Sequence, residues 1–270
     1  MPPSYTSAQK AAISQYVALT QTDKTTAAKL LKQYNWDVQT AANSFFSGGS
    51  NMASNPHKAK LTKLFDSYRE NPAEEPDEVN MEGMGNMMGD MNVNMESVDL
   101  LVFSELVQSP TLGKVTREGF VDGLSQEGAP DTSRIASLIA SRSAALSSSD
   151  CTILKKVYKH TFLIAKAQGS KSIPLEAAIE YWRLLFSSPS LDWSTSDNPW
   201  LEWWIEFLQE KWKKSVNKDM WDQTLSFADK TLKDDSLSWW SEDSAWPGVI
   251  DEFVAWVKEK RGGGEEMDTS

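Results

Sequence analysis

Apolar residues in this chain return again and again at the interval of an α-helix. Val38, Ala41, Ala42, Phe45 and Phe46 stand at relative positions 0, 3, 4, 7 and 8, and Trp200, Trp203, Trp204, Phe207 and Leu208 repeat that spacing. Such a set lines one face of a helix that turns every 3.6 residues. A half-buried strand would alternate apolar and polar residues, and no convincing run of that kind occurs. The expectation is an all-α chain.

Three short amphipathic helices are predicted over residues 7–48. Ile13, Tyr16 and Val17 mark the first, Ala27, Ala28, Leu30 and Leu31 the second, and the Val38–Phe46 run the third. Asp37 precedes that run as its N-cap, and Ser47-Gly48-Gly49 ends it. Residues 49–59, GSNMASNPHKA, read as a linker, rich in turn formers and poor in apolar residues. A larger helical domain is expected over 60–261. Its helices start near Leu61 and continue at roughly 97–108, 116–126, 131–147, 150–168 and 174–187. Asn198-Pro199 reads as a cap followed by a first-turn proline. Two more helices carry Trp221, Leu225, Ala228 and Leu232, then Ile250, Phe253, Val254 and Val257 behind Pro247. The Gly- and acid-rich tail 262–270 is expected to be disordered. Eleven of the twelve tryptophans lie at or beyond Trp182, so the composition of the chain shifts there.

Met81, Met84, Met88, Met91 and Met95 recur at spacings of 3, 4, 3 and 4. On a helix they form one stripe. That stripe is either core filling or a deformable binding groove, since Met is flexible and polarizable. Gly83, Gly85 and Gly89 weaken the helix and make it depend on packing.

The formal charge of −11 sets this chain against phosphate backbones, so nucleic acid is an unsuitable partner and a basic protein surface a suitable one. A single cysteine, Cys151, forms no intramolecular disulfide, which fits a reducing compartment. The start MPPSYTSAQK lacks the apolar core of a signal peptide, and no stretch approaches the ~18 apolar residues of a membrane span. Cytoplasm or nucleus is the expected location. No CxxC, HExxH, GxSxG or P-loop occurs. His160 lies nine residues beyond Cys151, about 13 Å along one helix, too far for a nucleophile and its base. Asp90, Asn92, Asn94 and Glu96 copy the first ligand positions of a calcium loop. Met95 then stands where the turn needs Gly, and Leu101 where ligation needs Glu. No metal, cofactor or catalytic residue is expected. The chain reads as an adaptor that grips other proteins.

NKDMW at 217–221 precedes SAWPGVIDEFVAW at 244–256, and AIEYWRLLF occupies 178–186. Together these resemble the C-terminal domain of the defective-in-cullin-neddylation family. The stretch from AAISQYVALTQTDKTTAAKLL to WDVQTAANSFF is similar to that family's N-terminal ubiquitin-associated domain, and the resemblance spans about residues 7–260. It implies EF-hand-like helix pairs that need not bind calcium, a picture the degenerate 90–101 loop is expected to fit. It implies a non-catalytic scaffold that holds a cullin C-terminal region beside the charged neddylation conjugating enzyme. Transfer is promoted by proximity, without a covalent intermediate on the scaffold. Asp219, Ala245 and Asp251 match the family's Asp-Ala-Asp cullin-binding patch. Met81, Met84, Leu100, Phe103, Leu112, Val115, Ile164, Tyr181 and Leu184 match the pocket for the conjugating enzyme's acetylated N-terminus. Leu19, Phe45 and Phe46 form the candidate ubiquitin face. Leu19-Thr20-Gln21 stands where ubiquitin-binding members carry a Met-Gly-Phe-type loop, so weak affinity is expected there. The alternative is a generic ubiquitin-binding adaptor without cullin specificity.

Overall fold

The structure is a computed structural model. It describes residues 5–20, 22, 24–46, 56–148, 150–241 and 243–262, apart from the side chains of Gln33, Ser44, Phe45, Phe46 and Pro56. The chain divides into two compact units between Ala59 and Lys60.

In the first unit, α1 (Ser7–Thr20), α2 (Lys24–Gln33) and α3 (Val38–Phe46) enclose Ile13, Tyr16, Ala27, Ala28, Leu31, Ala41 and Ala42. Small alanines let the three axes approach closely enough for so short a chain to exclude water from Tyr16. Asp37 caps α3 as expected: its Oδ1 accepts from the backbone N–H of Gln39 and of Thr40, each at 3.0 Å. Those bonds hold its carboxyl below the usual range.

The expected linker is shorter than its composition suggested. Residues 56–59 already form the first turn of α4 (Pro56–Ser67), with Pro56 in the first helical position, where it needs no N–H partner. Residues 49–55 of that linker lie outside the described residues, as does the expected tail from 263 onward. Gly262 still belongs to the last helix.

The second unit is built from helix–loop–strand–helix modules. Strand β1 (Glu78–Val79) leads into α5 (Met81–Asp90), and after α6 (Val98–Leu106) strand β2 (Val115–Thr116) leads into α7 (Arg117–Gln126). β1 and β2 pair antiparallel, Glu78 with Thr116 and Val79 with Val115. The arrangement then repeats. After α8 (Thr132–Ala144) and α9 (Thr152–Ala165), strand β3 (Ser172–Ile173) leads into α10 (Leu175–Leu185). After α11 (Trp200–Phe207) and a π-type turn over Leu208–Trp212, strand β4 (Val216–Asn217) leads into α12 (Lys218–Lys233). β3 and β4 pair Ser172 with Asn217 and Ile173 with Val216. Helix α13 (Gly248–Gly262) closes the unit. The all-α expectation holds apart from these two clasps, each too short to show an alternating pattern. Residues at the strand ends double as helix caps. Asn80 accepts from Glu82 N–H at 2.8 Å, Thr116 from Gly119 N–H at 3.2 Å, and Asn217 from Met220 N–H at 2.8 Å.

This placement corrects the expectation for residues 90–101. The EF-hand-like loops are those that carry the strands, whereas Asp90 ends α5 and residues 91–96 connect it to α6. Asp90 accepts from the Tyr68 hydroxyl at 2.7 Å, and Asn94 accepts from Glu96 N–H at 2.9 Å. These side chains fix a connection between modules. The Met stripe resolves mostly into core: Met84, Met88 and Met91 are buried, joined by Met87, and only Met81 is strongly exposed. Gly83 is there for close approach. A Cβ on it would overlap the Glu70 carboxylate and the Tyr68 carbonyl oxygen.

Asn198 does not cap α11. Its amide donates to Asp235 Oδ2 at 2.6 Å, Thr195 donates to the same oxygen at 2.7 Å, and Pro199 takes the cap position. Around these helices Trp182, Trp193, Trp200, Trp204 and Trp221 are almost wholly buried. Tyr158 sits at their centre. Its hydroxyl donates to the Trp221 carbonyl at 2.7 Å and accepts from Trp182 Nε1 at 2.8 Å, while its ring stacks on Trp221 at 4.5 Å between centroids. Cys151 precedes α9 rather than lying in it, at φ 52°, and burial pushes its thiol pKa up. That thiol is a poor nucleophile.

Candidate functional site

Asp219 lies in the exposed first turn of α12, where a carboxylate complements the helix dipole. Its neighbour Lys218 pairs with Asp222 one turn on, so Asp219 stays directed at solvent. Ala245 is exposed in the segment that leads to α13. The next residue, Trp246, anchors that segment by meeting the rings of Phe227 and Trp239, each at 5.9 Å. Asp251 is half-buried in the first turn of α13, and its Oδ1 accepts from Trp240 Nε1 at 3.2 Å. Ala245 and Asp251 therefore belong to one neighbourhood. Asp219 is eight residues before Phe227 on α12, about 12 Å along the axis from the ring that supports Trp246. Residues 217–252 contain nine carboxylates and three lysines, a net negative stretch of the sequence.

The nine residues expected to line the conjugating-enzyme pocket separate into three groups. Met84, Phe103, Val115 and Ile164 are core residues with almost no exposed surface. Leu100, Tyr181 and Leu184 are half-buried at the edge of that core. Met81 and Leu112 are on the surface, 51% and 39% exposed. Met81 lies across Gly113, whose φ of +80° and missing Cβ leave room for the thioether. Leu112 N–H donates to the Ile164 carbonyl at 3.3 Å and ties this surface to the end of α9. Four of the nine are buried and five are half-buried or exposed. They form a core with an apolar edge. Two cavities of about 540 and 530 Å³ lie elsewhere, one beside Glu105 and Arg142, the other beside Leu175 and Lys213. In the first, Arg142 bridges Glu105 at 3.0 Å and Glu127 at 2.6 Å, and burial raises the Glu105 pKa despite that partner.

Sequence reasoning missed Leu163, which is 48% exposed on α9 beside Ile164. The signal was available, because Phe162-Leu163-Ile164 puts three apolar residues in a row and a helix cannot turn all three inward. It also missed Trp240, which no periodic pattern marks. In the first unit, Leu19 is 50% exposed at the end of α1. The side chains of Phe45 and Phe46 lie outside the described residues. Among the described residues no three His, Cys, Asp or Glu side chains are grouped to hold a metal, and no helix is long and apolar enough to cross a membrane.

Residues 134–256 match the family described as cullin binding, and residues 10–51 match a UBA-like domain. The defective in cullin neddylation protein 1 of Pyricularia oryzae is 35% identical, over 98% of this chain and 99% of that protein. The protein of the same name from Yarrowia lipolytica is 29% identical over 92% of this chain and 96% of its own length. DCN1-like protein 3 of Homo sapiens is 30% identical over 79% of this chain and 68% of its own. The chain belongs to the defective-in-cullin-neddylation family. Its cullin-binding match encloses Asp219, Ala245 and Asp251. Met81, Met84, Leu100, Phe103, Leu112 and Val115 fall before that match, in the stretch that the nearly full-length relatives of this family span.

Proposed function

We infer that this chain is a scaffold-type co-ligase that binds a cullin and promotes its neddylation. The observation that carries this is the cullin-binding match over residues 134–256, within nearly end-to-end similarity to proteins named for defective cullin neddylation. In this reading Asp219, Ala245 and Asp251 form the cullin contact. Two exposed or half-exposed carboxylates meet basic side chains, and the methyl-sized Ala245 lets the partner approach closely. The chain contributes no covalent chemistry. It holds the cullin lysine near the charged conjugating enzyme, and such positioning lowers the barrier by converting an encounter into a local step.

The conjugating enzyme is proposed to dock its acetylated N-terminus at the edge formed by Met81, Leu112, Leu100, Tyr181 and Leu184. Acetylation removes the terminal charge, so the end can enter apolar surroundings without a large desolvation cost. The core residues Met84, Phe103, Val115 and Ile164 would form the floor once side chains at the edge move aside. Ubiquitin is proposed to bind the first unit weakly, through Leu19 and the Phe45/Phe46 face, and the cytoplasm or nucleus is the proposed setting.

The test is the neddylation rate of a cullin C-terminal fragment with and without the chain, alongside the affinity of the two. Acceleration together with binding is expected. Ubiquitin binding without cullin binding would favour the generic adaptor instead. Calorimetry with acetylated and unacetylated conjugating-enzyme peptides examines the pocket separately, and equal affinity would remove it.

A further inference from the structure

We propose that Trp240 is a positioning residue of the cullin-binding patch, whose indole N–H holds one oxygen of Asp251 and leaves the other free for a basic group of the partner. This rests on the reading of Asp251 as a cullin contact.

Trp240 differs from every neighbouring tryptophan. Trp239 packs against Phe227 at 5.5 Å and Trp246 at 5.9 Å, and its Nε1 donates to the Asp234 carbonyl at 2.8 Å, so it belongs to the core edge. Trp240 is half-buried and makes no ring–ring contact among the described residues. Its two specific interactions both go to α13. Nε1 donates to Asp251 Oδ1 at 3.2 Å, and the Lys258 ammonium lies 4.3 Å from its ring centroid. Asp251 and Lys258 are seven residues apart, close to two helical turns, so they share a face. The ring spans that face.

Two consequences follow for the carboxylate. A carboxylate on a free rotor would have to be ordered when the partner arrives, whereas the indole donor orders it beforehand. Lys258 rests over the ring face, where a cation is attracted by the π electrons. Held there, it makes no ion pair with the Asp251 carboxylate among the described residues. The backbone supports the same aim: Leu237 adopts φ 62° and its carbonyl accepts from Trp240 N–H at 3.1 Å, which turns the indole back towards α13.

Trp240→Phe keeps a ring for Lys258 and removes the N–H. The test measures affinity of the full chain for a cullin C-terminal fragment with Trp240→Phe in two backgrounds, wild type and Asp251→Ala. In wild type, the substitution should weaken binding by roughly three- to tenfold, the range of one net hydrogen bond. In Asp251→Ala it should change nothing further, because the group it positions is gone. The indole N–H resonance that disappears in Trp240→Phe should also move in Asp251→Ala. Equal losses in both backgrounds would overturn the proposal and make Trp240 a direct contact or a packing residue, with the Asp251 reading intact. Full affinity in Asp251→Ala would remove the Asp251 reading and this proposal together.

Discussion

Replacing Tyr158 with Phe isolates one hydroxyl at the centre of the second unit. The rings it touches are undisturbed: Phe retains the 4.5 Å stacking on Trp221 and the 5.5 Å approach to Phe186. Burial raises the phenol pKa well above its ordinary value, so the hydroxyl stays protonated and donates to the Trp221 carbonyl. That carbonyl lies inside α12 and keeps its helical partner when the hydroxyl goes. The Trp182 indole N–H does not. Its acceptor is the Tyr158 oxygen, both residues are fully buried, and no water can replace it without opening the core. An orphaned buried donor costs ~1–3 kcal/mol and the lost hydroxyl bond ~0.5–1.5 kcal/mol, about 2–4 kcal/mol together. For a unit of this size each kcal/mol lowers Tm by about 2–4 °C, so a fall near 10 °C is expected. Urea unfolding should show a lower midpoint with an unchanged slope, since the exposed area is the same in both proteins. Cullin affinity below the transition should be unaffected. A loss under ~0.5 kcal/mol would refute the reasoning, because it would mean that the indole finds another acceptor in the Phe variant.

Three further outcomes are expected. Combining Asp219→Lys, Ala245→Arg and Asp251→Lys should abolish measurable cullin binding: two charge-assisted contacts are worth ~1.5–3 kcal/mol each, while lost dipole and Trp240 contacts cost the fold only ~1–3 kcal/mol. Parallel affinity and Tm measurements separate the two effects, and wild-type binding should also weaken with added salt. Gly83→Ala should destabilise by several kcal/mol in urea titrations, because the Tyr68 carbonyl that the new methyl meets is backbone and cannot swing aside. Burial holds the His160 pKa below its ordinary 6.5. As pH falls below that value the unfolded chain takes up a proton that the folded chain resists, so stability is lost towards acid. His160→Gln should reduce the drop in unfolding free energy between about pH 7.5 and 5.5, and an unaltered drop would exclude His160 as its source.

Helix positions were legible wherever spacing was regular, because a buried stripe is a property of sequence order alone. The run Val38–Phe46 and its Asp37 cap appear as read. Helix ends were less legible, since they depend on which polar side chain reaches which N–H. Asn198 looked like a cap and instead donates to Asp235, a partner 37 positions away that local spacing cannot reveal. The four strands escaped because two residues carry no period. Module boundaries escaped with them, which is why a loop with calcium-like spacing was assigned to the wrong place. The Asp-Ala-Asp positions are proposed from the motif that surrounds them, because no periodic rule singles out an exposed Ala245. Spacing also marked Met84 and Met81 alike, although one is core and the other surface. Depth within a stripe is set by what packs across it.

The crowding of indoles beyond Trp182 also has an optical consequence. Ring centroids such as Trp182–Trp221 at 5.2 Å and Trp182–Trp204 at 5.8 Å are close enough for excitation to migrate between chromophores before emission. No tryptophan occurs between Trp36 and Trp182. Emission excited at the indole band therefore reports almost entirely on the second pair of modules, while α4 to α7 are dark. Circular dichroism weighs all the helices together. If the first pair of modules loosens before the second, ellipticity will fall while fluorescence holds, and the gap between the two curves measures the cooperativity between the halves of the domain.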